Sequence, residues 1–263
     1  MPFSTIRSEA SAGVTTIMLA RPERLNAITA VMHAELREAL DASIADSSVR
    51  CLVLTGEGRA FSSGQDLTED LPRGADGRPD LGSALDRDYN PLIRRLIGFP
   101  KVTIAALNGP AVGAAANIAL ACDIVVAARS AFLQQAFAQF ALVPDAGGTW
   151  LLPRIVGLKR ALALMLTADP VSADEAERMG LVYKVFDDAS FAAETKKLAQ
   201  RLASGPAETL RMIKQALSVS LDNDLDAQLA LERELQQQAG LMRDFLEGVT
   251  AFREKRKPKF EGR

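Results

Sequence analysis

Val102-Thr103-Ile104-Ala105-Ala106-Leu107-Asn108-Gly109-Pro110-Ala111-Val112-Gly113-Ala114-Ala115-Ala116-Asn117 is the stretch whose reading decides the fold. Its first six residues form a short apolar run of the kind that is buried on both faces of a parallel sheet. A turn with two glycines follows, and then a run of small residues suited to a helix. The same strand pattern occurs upstream at Cys51 to Thr55 and downstream at Asp123 to Ala127, and Phe132 to Phe137 suggests one more short strand. Val14 to Ala20 reads as a strand as well. Between these, residues 30 to 46 carry Met32, Leu36, Leu40 and Ile44 at fourfold spacing, which marks one buried helix face. Strand, glycine turn and helix recurring in this order predict an α/β core.

Strand signals stop after about residue 190. Ser204-Gly205-Pro206 separates two helical segments, and Leu221, Leu225 and Leu229 repeat the fourfold spacing, so this helical piece should pack on its own core or on a neighbouring subunit. The expected division is an α/β core over 1–195 and a helical segment over 196–263. Residues 68 to 82, rich in Pro and Gly, form the longest loop, and such loops often wall binding sites.

At 263 residues, with 48% hydrophobic and 24% charged, the chain has the composition of a globular enzyme. Thirty-one basic residues against 33 acidic ones give a net charge of −2, which argues against a nucleic-acid partner. Cys51 and Cys122 lie in apolar runs and supply neither a disulfide framework nor a metal spacing. The single histidine, His33, makes a Ser-His-Asp triad or a histidine metal site improbable. It lies on the 30–46 helix, away from the glycine turns, and is expected to have a surface or packing role. No N-terminal leader pattern and no membrane-length apolar run is visible, so a cytoplasmic protein without a membrane partner is expected.

Three segments carry chemistry. Phe61-Ser62-Ser63-Gly64-Gln65-Asp66-Leu67 and Asn108 to Asn117 each follow a strand, and the second opens a helix whose N-terminal dipole favours negative charge. Two backbone N–H groups aimed at one point would hold an oxygen that gains charge in a transition state. The second turn lacks the Gly-Lys-Ser/Thr ending of a phosphate loop, and the first lacks the dinucleotide fingerprint. Asp145, in Leu142-Val143-Pro144-Asp145-Ala146-Gly147-Gly148-Thr149, is a carboxylate among apolar neighbours. Desolvation there would raise its pKa and suit it to moving protons near neutral pH. A turn or N-cap role is the other reading of the same residue.

In order and wording these segments resemble the enoyl-CoA hydratase/isomerase (crotonase) superfamily over essentially the whole chain. The likeness runs from Arg21-Pro22-Glu23-Arg24-Leu25-Asn26-Ala27 through Phe61 to Leu67, Asn108 to Asp123, Pro144 to Thr149 and Ala173 to Val182, ending at Glu247 to Arg256. It implies a spiral of β-β-α units with a helical C-terminal trimerisation segment, and a homotrimer or a dimer of trimers. It also implies an acyl-CoA thioester as substrate, with coenzyme A part of that substrate and no separate cofactor or metal. The N–H groups of Gln65 and Ala114 would form the oxyanion hole, with Gly113 leaving room for the thioester carbonyl. Arg24, Leu25 and Ala27 would lie near the CoA, and Ser63, Gly64, Asp66 and Leu67 along the thioester arm. Phe252 and Lys255 would reach CoA from a neighbouring subunit, although a solvated basic tail reads equally well. Asn117 and Phe137 stand where the family's hydratases place two glutamates, and neither can exchange a proton at neutral pH.

The resemblance therefore points away from hydration and towards branches that use a carboxylate at Asp145. These are double-bond isomerases, an aryl-CoA dehalogenase, and the branch that isomerises the ring epoxide of phenylacetyl-CoA. Pro79 to Gly82, Tyr89 to Leu96 and Gly147 to Arg154 favour that last branch, which also shifts a 3,4 double bond to the 2,3 position. Phe137, Phe140, Leu142 and Trp150 could offer an apolar wall for a ring, although core packing is the commoner use of such side chains. A generic enoyl-CoA hydratase and a non-catalytic acyl-CoA- or RNA-binding relative are the alternatives.

Overall fold

The structure is a computed structural model that describes residues 3–70 and 72–262. Met1, Pro2, Leu71 and Arg263, which belong to the N-terminal segment, the long loop and the basic tail, lie outside the described residues. β1 (Ile6–Ser11) and β2 (Val14–Leu19) form an antiparallel hairpin. Its two-residue turn has φ of 51° at Ala12 and 78° at Gly13, the double positive φ that matches strand twist. β1 escapes the sequence reading because only Ile6 of its six residues is buried, so it carries no apolar alternation.

α1 (Ala30–Ala45) is capped by Thr29, whose side-chain oxygen accepts from the Met32 N–H at 3.1 Å. Met32, Leu36 and Leu40 are buried as expected, Ile44 is exposed, and His33 joins the buried face. β3 (Cys51–Gly56) pairs in parallel with β2. After the long loop comes a continuous helical stretch: α2 (Leu81–Ala84), a π-helical turn (Leu85–Tyr89) and α3 (Asn90–Ile97).

β4 (Val102–Leu107), β5 (Ala111–Val112) and α4 (Ala114–Leu120) then build the segment that opened the sequence reading. β6 (Ile124–Ala128) and β7 (Phe132–Gln134) follow; the strand expected over 132–137 ends early, giving way to a 3-10 turn over Ala136–Phe140. The rest comprises α5 (Gly148–Val156), α6 (Leu158–Thr167), β8 (Val171–Ser172), α7 (Ala173–Met179) and β9 (Lys184–Phe186). It ends with α8 (Phe191–Ala203), α9 (Ala207–Ser218), α10 (Leu225–Gly240) and α11 (Arg243–Arg253).

The large sheet has the order β1-β2-β3-β4-β6-β9, parallel beyond the first hairpin, and a second sheet has the order β5-β7-β8. Single bridges from Ile28 to Gln65 and from Ser62 to Ala111 extend the second layer across the earlier units. Each unit thus sends a strand to the large sheet and then a short extended segment to the second layer, and the pattern repeats as a spiral.

Side chains alternate across the large sheet. Leu52, Leu54, Ala105 and Leu107 join the core that includes α1 and α4, whereas Cys51, Val53, Ile104 and Ala106 meet Phe191, Leu198, Ala199 and Ala203 of α8. The expected boundary between 195 and 196 falls inside α8, which belongs to the core. Lys214 pins α9 to that core by donating to Asp123 Oδ2 at 2.7 Å and to the carbonyls of Phe99 and Lys101. The stripe of Leu221, Leu225 and Leu229 stays 70%, 71% and 50% exposed, so the described residues leave this face largely uncovered. Among the described residues no helix is long and apolar enough to cross a membrane.

Candidate active site

The two glycine turns meet because the second layer draws them together. Ile28 N–H donates to the Gly64 carbonyl at 2.8 Å, and Asp66 N–H donates to the Ile28 carbonyl at 2.9 Å. In such a parallel bridge the residue between those two groups, Gln65, turns its own N–H to the opposite side. Gly64 has φ of 91°, and a Cβ there would lie 2.7 Å from the Val112 carbonyl oxygen and 3.9 Å from the Ala114 nitrogen. The Gln65 strand therefore passes directly against the start of α4. Gly113 (φ 58°, ψ −126°) makes a bend open only to glycine and leaves Ala114 as the first helical residue. Among the described residues neither the Gln65 nor the Ala114 N–H donates to a protein acceptor. Both residues line one cavity of about 740 Å³, a size typical of ligand sites.

Asp145 lines the same cavity. Ala146 and Gly147, with φ of 48° and 77°, bend the chain sharply into α5 and leave Asp145 on the cavity side of the bend. Its carbonyl oxygen accepts from the Gly148 N–H at 2.9 Å and from Asn117 Nδ2 at 2.8 Å. Its carboxylate Oδ1 is buried and has no hydrogen-bond partner among the described residues. Burial pushes the carboxyl up to about 6 against only a weak opposing bond from its own backbone. A base with that affinity is half ionised close to neutral pH and exchanges protons readily.

The surrounding wall is apolar, with Leu67, Leu85, Phe137, Phe140, Leu142 and Val143 among its members. Trp150, expected beside them, is not part of it; its ring carries the Arg154 guanidinium at 4.1 Å. Asn117 is also absent from the lining. It is fully buried, and both ends of its amide are engaged within the protein. Ser63, Gly113 and Leu67 do line the cavity, whereas Gly64 and Asp66 lie in the strand behind it. Asp66 is held at about 2 by the Thr68 hydroxyl and N–H and by Arg21 Nη1 at 2.9 Å. Arg24, Leu25 and Ala27 run alongside that strand, with Ser63 N–H donating to the Leu25 carbonyl. Phe252 is 84% exposed and Lys255 is exposed, both outside the cavity of this single chain.

His33 has the packing role expected of it, at 1% exposure, but it is not remote from the glycine turns: it lines the cavity. Its ring meets Tyr89 edge-on, with centroids 4.1 Å apart, and desolvation lowers its pKa to about 4, so it is neutral. Tyr89, delivered by the π-helical turn, donates its hydroxyl to Gln65 Oε1. Such turns often mark functional sites. Burial and then the Asp145 charge raise the Tyr89 pKa, which keeps the phenol protonated. The sequence held a usable signal for His33: it shares the i, i+3, i+7 line with Leu36 and Leu40. Glu69 also lines the cavity, but its Oε2 accepts from the Ala30 N–H at the start of α1 at 3.1 Å. Among the described residues no group of three or more His, Cys, Asp or Glu is arranged to hold a metal ion.

A cavity lined by two residues whose N–H groups have no protein acceptor among the described residues, by a desolvated carboxylate and by apolar side chains suits proton removal beside a carbonyl whose oxygen becomes an anion. The enoyl-CoA hydratase/isomerase family profile matches residues 9–263. The 1,2-epoxyphenylacetyl-CoA isomerase of Escherichia coli (strain K12) is 47% identical over 258 residues, covering 98% of each chain. A protein of Rhodobacter capsulatus named "Probable enoyl-CoA hydratase" is 46% identical over 263 residues, the whole of both chains. The crystal structure of an enoyl-CoA hydratase from Bacillus anthracis superposes with a TM-score of 0.92 at 31% identity, covering 99% of this chain and 100% of that one. The chain belongs to the enoyl-CoA hydratase/isomerase family and is an enzyme of the crotonase fold.

Proposed function

We propose that the enzyme is an acyl-CoA isomerase in which Asp145 moves the proton and the N–H groups of Gln65 and Ala114 hold the thioester oxygen. The observation that carries this reading is the unpartnered, desolvated carboxylate of Asp145 in the cavity that Gln65 and Ala114 also line. Asp145 removes a proton from the carbon next to the thioester, and the electron pair moves onto the thioester oxygen, giving a dienolate. The same carboxyl returns the proton two carbons further on, which converts a 3-enoyl into a 2-enoyl thioester. Each oxyanion donor is typically worth about 2.7–4 kcal/mol of transition-state stabilisation.

The likeness to the E. coli 1,2-epoxyphenylacetyl-CoA isomerase supports the ring 1,2-epoxide of phenylacetyl-CoA as the foremost substrate of the same site, and rearrangement to its oxepin form in phenylacetate breakdown is the reaction proposed for it. The apolar wall of Phe137, Phe140 and Leu142 has the character an aromatic ring requires. The exposed leucine stripe and the exposed Phe252 and Lys255 support assembly as a trimer or dimer of trimers, in which those two residues meet CoA across the interface. A cytoplasmic location accompanies this reading.

The test is Asp145→Asn assayed on a 3-enoyl-CoA and on the epoxide, with acyl-CoA affinity measured separately. Loss of both turnovers with affinity kept is the expected outcome, and full turnover would refute the assignment. The R. capsulatus relative favours a second reading, enoyl-CoA hydration. Asn117 and Phe137 stand against it, since neither activates water. Rapid hydration of crotonyl-CoA would overturn the preference for isomerisation.

A further inference from the structure

We propose that Asn117 is a positioning residue that ties the Asp145 carboxylate to the helix supplying the oxyanion amide. The inference rests on the isomerase reading above and extends it to a residue that touches no substrate.

Asn117 lies one turn after Ala114 on α4, all seven residues of which are buried. Its Nδ2 donates to the Asp145 carbonyl at 2.8 Å, and the Gly148 N–H donates to that same carbonyl at 2.9 Å. Both lone pairs of the carbonyl are thereby filled, so the peptide plane after Asp145 cannot rotate without breaking a buried bond. The amide of Asn117 is itself oriented. Gln135 Nε2, on a side chain only 5% exposed, donates to Asn117 Oδ1 at 2.8 Å, which leaves Nδ2 to face Asp145. The fit extends to Gly148, where a Cβ would come within 2.3 Å of Asn117 Nδ2. Only glycine lets the amide reach its acceptor.

One short helix therefore registers both halves of the apparatus. Its first N–H serves the oxygen, and its fourth side chain fixes the peptide from which the base projects. An asparagine at a position where the family's hydratases carry a catalytic glutamate acts on the backbone of the base and not on the substrate. Displacing a reacting group by about 1 Å costs on the order of a hundredfold in rate.

The experiment measures kcat and KM for a 3-enoyl-CoA in Asn117→Ala, Gln135→Met, Asp145→Asn and the Asn117→Ala/Asp145→Asn double variant. Thermal melts establish that each is folded. The expected result is a kcat roughly a hundredfold lower in Asn117→Ala with KM unchanged, and a smaller loss of the same kind in Gln135→Met. On the Asp145→Asn background Asn117→Ala should cost nothing further, whereas a merely structural role would lower the residual rate in both backgrounds. If Asn117→Ala does not fold, Gln135→Met decides, because it keeps Asn117 and its packing. Wild-type kcat in the folded variants beside an inactive Asp145→Asn overturns this inference alone. Retained turnover in Asp145→Asn instead overturns the isomerase reading beneath it.

Discussion

Asp66 and Asp145 are two aspartates of one active-site region with opposite proton affinities. Asp66 is 6% exposed, yet it sits at about 2, because the Thr68 hydroxyl, the Thr68 N–H and Arg21 all favour its charge. Asp145 has apolar neighbours and an orphaned Oδ1, and rises to about 6. Desolvation dominates at Asp145, whereas at Asp66 the bonds from Thr68 and Arg21 to the charged form outweigh it. The first aspartate ties the strand of Gln65 to Arg21. The second is left unsatisfied, which costs stability and leaves a base poised to accept a proton.

The comparison is broken most forcefully at Asp145. Asp145→Asn should lower isomerase kcat by about 10³-fold with acyl-CoA affinity unchanged by calorimetry. Gly148→Ala should come next, since its methyl would displace the Asn117 amide. A kcat about a hundredfold lower with ordinary ligand binding is expected in steady-state assays. Asp66→Asn should act on the fold and not on chemistry. Loss of its charge-assisted bonds should reduce stability by about 1–3 kcal/mol in urea titration, while turnover per folded molecule stays near wild type.

The smallest effects are in the pH dependence of stability, where the signs differ. Asp145 binds its proton more tightly folded than unfolded, so its contribution is full below about pH 4 and is lost as pH rises through 6. Asp66 binds it less tightly, so its contribution is present above about pH 4 and is lost as pH falls through 2. His33, neutral when folded, contributes stability that is lost as pH falls from 6.5 through about 4, opposing Asp145 over that window. Asp145→Asn should therefore raise stability at pH 7 by about 3 kcal/mol and expose the His33 dependence in melts between pH 4 and 7.

Much of this was legible in the residues. Val102 to Asn117 reads as strand, turn and helix because glycine at 113 and the small residues after it have few other uses, and the apolar setting of Asp145 announces a raised affinity. What stayed hidden depends on contacts between distant segments. The π-helical turn that carries Tyr89 over His33 adds a residue to a helical turn without any composition signal. Asn117 looks like a site-lining residue until its two amide bonds are seen to run to Gln135 and to the Asp145 backbone. β1 has no apolar alternation to read, and the exposed stripe at Leu221, Leu225 and Leu229 shows the complementary failure, since periodicity reports an apolar face but not what covers it.

Exchange of the α-protons of a saturated acyl-CoA with deuterated water, followed by NMR, isolates the first proton transfer from everything after it. The account predicts exchange by the wild-type enzyme that grows with pH through about 6, the affinity of Asp145, and exchange at background level in Asp145→Asn. Undiminished exchange in that variant would show that another group removes the proton.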